Sequence, residues 1–276
     1  MKIQRMLILL LIVTSCLVAN TSANVQSKTY QQMSLAERGA FVSEQARRLA
    51  RQMSGRDYQF TPSFEAEIQK SVDFYARRIG NNAGDPPAKG DYRLVFERGQ
   101  TLAPTLSGIF KAQNVSPLIG LYLPLIESAY VNIPSPNSAG AIGMFQFLPK
   151  TGAHFGLSEA DLLDVPKSAD AAARYIAAGM ETFKDDPMKE ALALLAYNRG
   201  GDNVEQDLAT LVNSQNRGCS ICVLTEQRDK LDANFQKESV YYVPRFFAAA
   251  IVGENPQTFG LQTQPLSSLV SRNQLF

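Results

Sequence analysis

The residues that could do chemistry in this chain of 276 residues are few. Glu127 stands in the run LPLIESAYVN (123–132), a carboxylate among Leu125, Ile126 and Tyr130. Removing an ion from water is costly, so a carboxyl in apolar surroundings is driven toward its neutral, proton-carrying form. Such a group is a candidate proton donor. Histidine occurs once, at His154. A multi-histidine metal site is therefore impossible, and a Ser-His-Asp triad would have to use His154. That residue, set between PKTGA and FGL, is expected to pack or to face solvent. Besides Cys16 the only cysteines are Cys219 and Cys222, in CSIC. Such a pair could be a redox dithiol, half of a zinc site or a structural disulfide. Zinc usually needs about four ligands, and the single histidine and the carboxylates are a poor supply. No metal or cofactor is expected.

The compartment decides among the cysteine readings. Lys2 and Arg5 precede the apolar stretch MLILLLIV, too short for an ordinary spanning helix, so residues 1–23 read as an export signal. Two processing sites compete. TSA, ending at Ala23, fits ordinary cleavage. VTSC, ending at Cys16, resembles a lipobox, which would make 1–15 the signal and Cys16 the lipidated N-terminus. Leu17 would then favour the outer membrane. In an exported, periplasmic protein a Cys219–Cys222 disulfide is the expected state. The chain has 27 Lys+Arg against 26 Asp+Glu, so losing Lys2 and Arg5 leaves one net negative charge. No basic excess points to nucleic acid. Hydrophobic residues at 45% suit a sizeable core.

The elements that must position these groups read as helices. Residues 24–33 are polar and read as a tether. SLAE (34–37) has capping-box spacing, followed by Phe41, Ala46, Leu49 and Met53. Thr61 and Pro62 open a second helix with the stripe Phe64, Ile68, Val72, Tyr75 and Ile79, stopped by Gly80. GNNAGDPPAKGD is a loop, and a helix is expected over Tyr92–Ala112. Ser116 as cap and Pro117 open the helix that carries Glu127, which Pro124 should bend or break. A Pro-, Ser- and Gly-rich loop follows, then a short helix from MFQF onward and two longer ones in 167–183 and 187–200. Residues 203–235 read as polar and irregular, carrying CSIC as a loop. A long helix with Pro244 near its start ends near 256, and the tail after Gly260 has no pattern. The fold class is mainly α.

Four segments in order, ES (127–128), GAIGMFQF (140–147), AYNRGG (196–201) and ESVYYVP (238–244), resemble the lytic transglycosylases with the lysozyme-like SLT domain, nearest the membrane-bound D type. The resemblance covers about residues 90–262. It implies a compact α-lobe with a groove for glycan strands, cleaving the β-1,4 bond between N-acetylmuramic acid and N-acetylglucosamine in peptidoglycan. Glu127 matches the family's single catalytic acid/base. It would protonate the leaving oxygen and then deprotonate the muramyl 6-hydroxyl, giving a 1,6-anhydro product without water. The resemblance assigns Ser128 to orienting that region and Gly143 to a close backbone approach to sugar. Met144 either lines the groove or packs. Gln146 and Asn198 would contact acetamido and hydroxyl groups, with Tyr197 beside them, and Tyr242 would hydrogen-bond near Glu127. The sequence departs from the family at Phe145, where Trp or Met is commoner, and after Glu238, where Thr and Arg are usual.

The expected organisation is an N-terminal helical region (24–90), an SLT-like domain (91–262) and an irregular tail (263–276). The expected partner is peptidoglycan, with membrane association through Cys16. A hydrolytic muramidase and a catalytically inactive glycan-binding lipoprotein are the alternatives.

Overall fold

The computed structural model describes residues 28–81, 90–213 and 215–270. The export signal and Cys16 lie outside the described residues. The fold is mainly α, and its only β feature among the described residues is an isolated bridge between Ile142 and Phe147.

Local rules account for the first helices. In α1 (Leu35–Ser54) the Ser34 hydroxyl accepts from the Glu37 amide, and the Glu37 carboxylate accepts from the Ser34 amide, closing the capping box. In α2 (Pro62–Arg78) Thr61 caps and Phe64, Ile68, Val72 and Tyr75 face inward. In α3 (Tyr92–Ala112) Asp91 caps through the Arg93 amide. Next, α4 (Pro117–Ser128) is apolar on every side, the signature of a helix surrounded by protein. Gly120 lets the Phe110 ring of α3 close on it, since a Cβ there would sit 2.6 Å from that ring. Ser116 holds the N-cap position, but its side chain makes no cap bond. Nor does Pro124 end α4. The helix continues to Ser128, and the Pro124 carbonyl accepts from the Tyr130 amide at its close.

After the short α5 (Pro149–His154) come α6 (Val165–Thr182) and α7 (Lys189–Arg199), which pack against each other. The segment read as irregular, 203–235, is instead largely helical: α8 (Gly201–Leu211), α9 (Ser220–Glu226) and α10 (Ala233–Lys237). Polar composition hid sparse stripes. Val204, Leu208 and Leu211 suffice for α8, and Ile221, Cys222 and Leu224 for α9. CSIC is therefore not a loop but the start of a buried helix. Cys219 and Cys222 form a disulfide with Cα atoms 5.2 Å apart, and Cys222 Sγ accepts from the Thr61 amide at 3.4 Å. So short a link should stabilise by less than the roughly 3 kcal/mol of a loop of about 15 residues. A Cys219→Ala/Cys222→Ala protein is expected to keep its activity with a modestly lowered Tm. Free thiols in wild-type protein purified without reductant would contradict the link.

The centre is α11 (Tyr242–Glu254), buried along its length except at Arg245 and packed against α1, α2, α4 and α7. Phe60 lies between Phe64 of α2 and Phe247 of α11, with ring centroids 5.1 and 5.2 Å away. The Tyr58 hydroxyl donates to Glu190 of α7 at 2.6 Å. The buried apolar residues thus form one cluster from Tyr30 to Leu266. Two polar stretches join it, contrary to their reading as tether and patternless tail. Tyr30 is buried 4.8 Å from the Phe259 ring, and Leu261 and Leu266 are buried with Ser267 bonded to Glu254. In each, one or two large apolar side chains anchor a mostly polar segment.

Candidate active site

Glu127 ends α4 where the chain reverses. Ala129 and Tyr130 both take left-handed backbone (φ 53° and 59°), an uncommon pair for residues with side chains. The Ala129 amide donates to Leu125 and the Tyr130 amide to Pro124, satisfying the last carbonyls of the helix. The Tyr130 hydroxyl fixes the turn by donating to the Leu121 carbonyl at 2.5 Å. Glu127 is thereby held half-buried at the mouth of a cleft of about 480 Å³.

One wall of that cleft is the loop 132–147, pinned to α4. Ser128 Oγ donates to the Met144 carbonyl at 2.8 Å, and Asn132 Oδ1 accepts from the Met144 amide at 3.1 Å. Gly143 has φ 79°, and a Cβ there would lie 2.3 Å from the Leu162 carbonyl oxygen. Gln146, also left-handed at φ 52°, lines the cleft, donating to the Gly143 carbonyl and accepting from Asn137 Nδ2. The opposite wall is the end of α7. Tyr197 donates to the Phe145 carbonyl at 2.9 Å, and Asn198 Oδ1 accepts from Ser239 Oγ at 2.8 Å. From the start of α11 the Tyr242 hydroxyl donates to Glu127 Oε1.

The candidates thus divide. Glu127, Gln146, Tyr197, Asn198 and Tyr242 line one cleft. Ser128 and Met144 are buried and outside the lining of this cleft, with polar atoms taken up by the loop–helix junction, and Ser128 borders a neighbouring lobe. Gly143 serves a close approach to protein backbone at Leu162, where a close approach to sugar was expected. Sequence reading assigned nothing to Asn137, Tyr175, Arg199, Glu238 or Arg245, which share the cleft. Arg199 is held by Asp207 and Asp232. Its visible signal was an arginine wedged between Asn198 and the Gly200–Gly201 break, with Asp207 downstream.

The electrostatics centre on the carboxyl. Burial pushes Glu127 up to about 7. The hydrogen bond from Tyr242 opposes the rise, the charge of Glu238 adds to it, and the charge of Arg245 opposes it. Burial, then the charge of Glu127, holds the Tyr242 hydroxyl well above the ordinary tyrosine range, so it remains a donor. A carboxyl poised between its two forms near neutral pH can give a proton and take one back. No group of His, Cys, Asp and Glu among the described residues could hold a metal ion.

Beside the cleft lies a second lobe of about 470 Å³, with Ile126, Glu127 and Arg245 lining both. Its far wall is α2 and the start of α3.

Residues 109–217 match the family model described as Transglycosylase SLT domain. Over 161 residues the chain is 27% identical to "Membrane-bound lytic murein transglycosylase D" of Escherichia coli K12, and equally to that of the O6:H1 strain. The match takes in 57% of this chain and 32% of each relative, so it spans about a third of their length. Glu127, Gln146 and Asn198 fall inside the matched family segment, whereas Tyr242 follows it. Residues 109–217 therefore form a transglycosylase SLT domain, in a chain similar to the membrane-bound D branch of the SLT lytic transglycosylases.

Proposed function

We propose that the protein is a lytic transglycosylase that cleaves the β-1,4 bond between N-acetylmuramic acid and N-acetylglucosamine and leaves 1,6-anhydro-muramyl ends. The observation that supports this best is Glu127 itself, a carboxyl held near pKa 7 at the junction of two cleft lobes, with a tyrosine bonded to one oxygen. Its proton passes to the glycosidic oxygen as the C1–O bond breaks. The ionised carboxylate then takes the proton of the muramyl 6-hydroxyl as O6 bonds to C1. Glu127 ends protonated, as it began, and no water is consumed. The intramolecular hydroxyl has the advantage of proximity over a diffusing nucleophile. Tyr242 keeps the carboxyl aimed. Gln146 and Asn198, whose amides both donate and accept, suit the acetamido and hydroxyl groups of the sugars. Ser128, Gly143 and Met144 serve by fixing the loop that carries Gln146.

A hydrolytic reading has one observation behind it. Glu238 lines the same cleft, and most glycosidases use two carboxylates. Digestion of purified peptidoglycan by the purified full chain separates the readings. Anhydro ends are expected. Reducing ends would mean a muramidase, and glycan binding without cleavage an inactive binder.

The proposed setting is the periplasm, with a lipid anchor at Cys16. No helix among the described residues is long and apolar enough to cross a membrane. Cys16→Ala is expected to move the protein out of the membrane fraction or to block its maturation. A mature N-terminus at Asn24 without acyl groups, read by mass spectrometry, would exclude the anchor.

A further inference from the structure

The second lobe differs from the first in charge and in surface. Among its lining residues the acids are Glu127 and Glu67. Glu67 is engaged by Lys70 at 3.0 Å and by Arg228 at 3.2 Å, so neither it nor Lys70 is left to meet a ligand. Two guanidiniums remain. Arg78 lies over the rings of Phe74 and Tyr92, 5.4 and 5.6 Å from their centroids, and Arg245 lies 5.9 Å from that of Tyr241. Neither forms an ion pair with a described residue, and Arg78 Nε is buried with no hydrogen-bond partner. Stacking occupies the face of a guanidinium and leaves its in-plane N–H donors unused, the fork that fits a carboxylate. Both line this lobe, and both charges lower the Tyr92 hydroxyl's proton affinity against its burial. Beside Arg78, Phe74 is 43% exposed, a large apolar side chain in the lining of the same lobe. The lobe adjoins the first, with Ile126, Glu127 and Arg245 lining both, so a ligand reacting at Glu127 has this lobe beside it.

We propose that this lobe recognises a carboxylate carried on the lactyl arm of a muramyl residue beside the reacting bond, held by Arg78 and Arg245, with the apolar part of the ligand against Phe74. That carboxylate is either the arm's own or one on the peptide attached to it. The identity of the ligand rests on the transglycosylase reading; the recognition of a carboxylate does not. It also gives α2, which precedes the matched family segment, a direct part in substrate choice.

The test is binding to full-chain Glu127→Gln protein, which keeps a neutral side chain at the junction and removes turnover. Three glycan ligands are compared: strands with peptides bearing free carboxylates, the same strands with those carboxylates converted to amides, and strands stripped of peptide so that the lactyl carboxylate is free. Strands that bear the recognised carboxylate should bind about fivefold tighter than the amidated ones, as expected for a partly exposed ion pair. Adding Arg78→Gln should collapse that ratio toward one. If only the stripped strands, whose lactyl carboxyl is no longer tied up in an amide, bind tighter than the amidated ones, the lactyl carboxylate is the ligand; if only the free-carboxylate strands do, it is the peptide's; if both do, the site takes either. Equal binding of all three ligands, or a ratio untouched by Arg78→Gln, overturns the proposal. A wild-type protein that fails to cleave while this ratio persists removes the catalytic reading and leaves the carboxylate site standing.

Discussion

Replacing Glu127 by glutamine should lower the rate of peptidoglycan digestion by about 10²–10⁴-fold or more, the range for losing one general acid/base. The larger end is expected because one carboxyl serves both proton transfers and an amide serves neither. Wild-type activity should also fall as pH rises through about 7, where the acid form is lost. Unfolding can be excluded as the cause by the sign of a second effect. The folded-state value of about 7 lies above the ordinary 4.5, so the folded protein holds this proton more tightly than the unfolded chain. The resulting stability is fully present below about 4.5 and is lost as pH rises through about 7. Glutamine does not titrate, so Glu127→Gln should gain in Tm relative to wild type as pH is raised across that window. Calorimetry at both ends checks it. A variant that digests the wall as fast as wild type contradicts the assignment of Glu127.

Arg199→Ala should be the most destabilising single change near the site. Its side chain is 5% exposed, with Nε 2.5 Å and Nη2 2.9 Å from the Asp207 carboxylate and Nη2 2.7 Å from Asp232. Asp207 is 6% exposed, and removing the guanidinium strands its charge in the interior. Breaking a buried pair from one side costs roughly 3–5 kcal/mol, which in a chain of this size lowers Tm by roughly 10 °C. The damage should reach the cleft, because Arg199 ties the end of α7, with Asn198, to α8 and to the cap of α10. Pairing Arg199→Ala with Asp207→Ala should recover part of the loss, since no buried charge is then left alone. A single variant within about 2 °C of wild type would contradict this account.

What could be read from the sequence follows from how local each cause is. The capping box at Ser34 and the limits of α3 depend on neighbours in sequence, and each was legible. The helices of 203–235 were not, because a short helix needs few apolar residues and the partners that cover them come from distant segments. Tyr30 likewise meets Phe259 across the fold. Pro124 does not break α4, because a proline there forfeits one backbone bond, to the Gly120 carbonyl, in a helix whose side chains are buried nearly throughout. Within the site, a motif names residues without saying what they touch. Ser128 and Gly143 occupy motif positions for reasons of loop packing, which only the neighbouring Met144 and Leu162 carbonyls reveal. Arg199 lacked a visible role until Asp207 and Asp232 were brought around it.

The central claim is that Glu127 drives a cleavage in which the sugar's own hydroxyl replaces water. Mass spectrometry of the new chain ends, after purified peptidoglycan is incubated with the purified full chain in water enriched in oxygen-18, reads this directly. The account predicts 1,6-anhydro-muramyl ends without the heavy isotope, absent when Glu127→Gln protein is used. Reducing ends carrying oxygen-18, or anhydro ends formed equally well by Glu127→Gln, would contradict it.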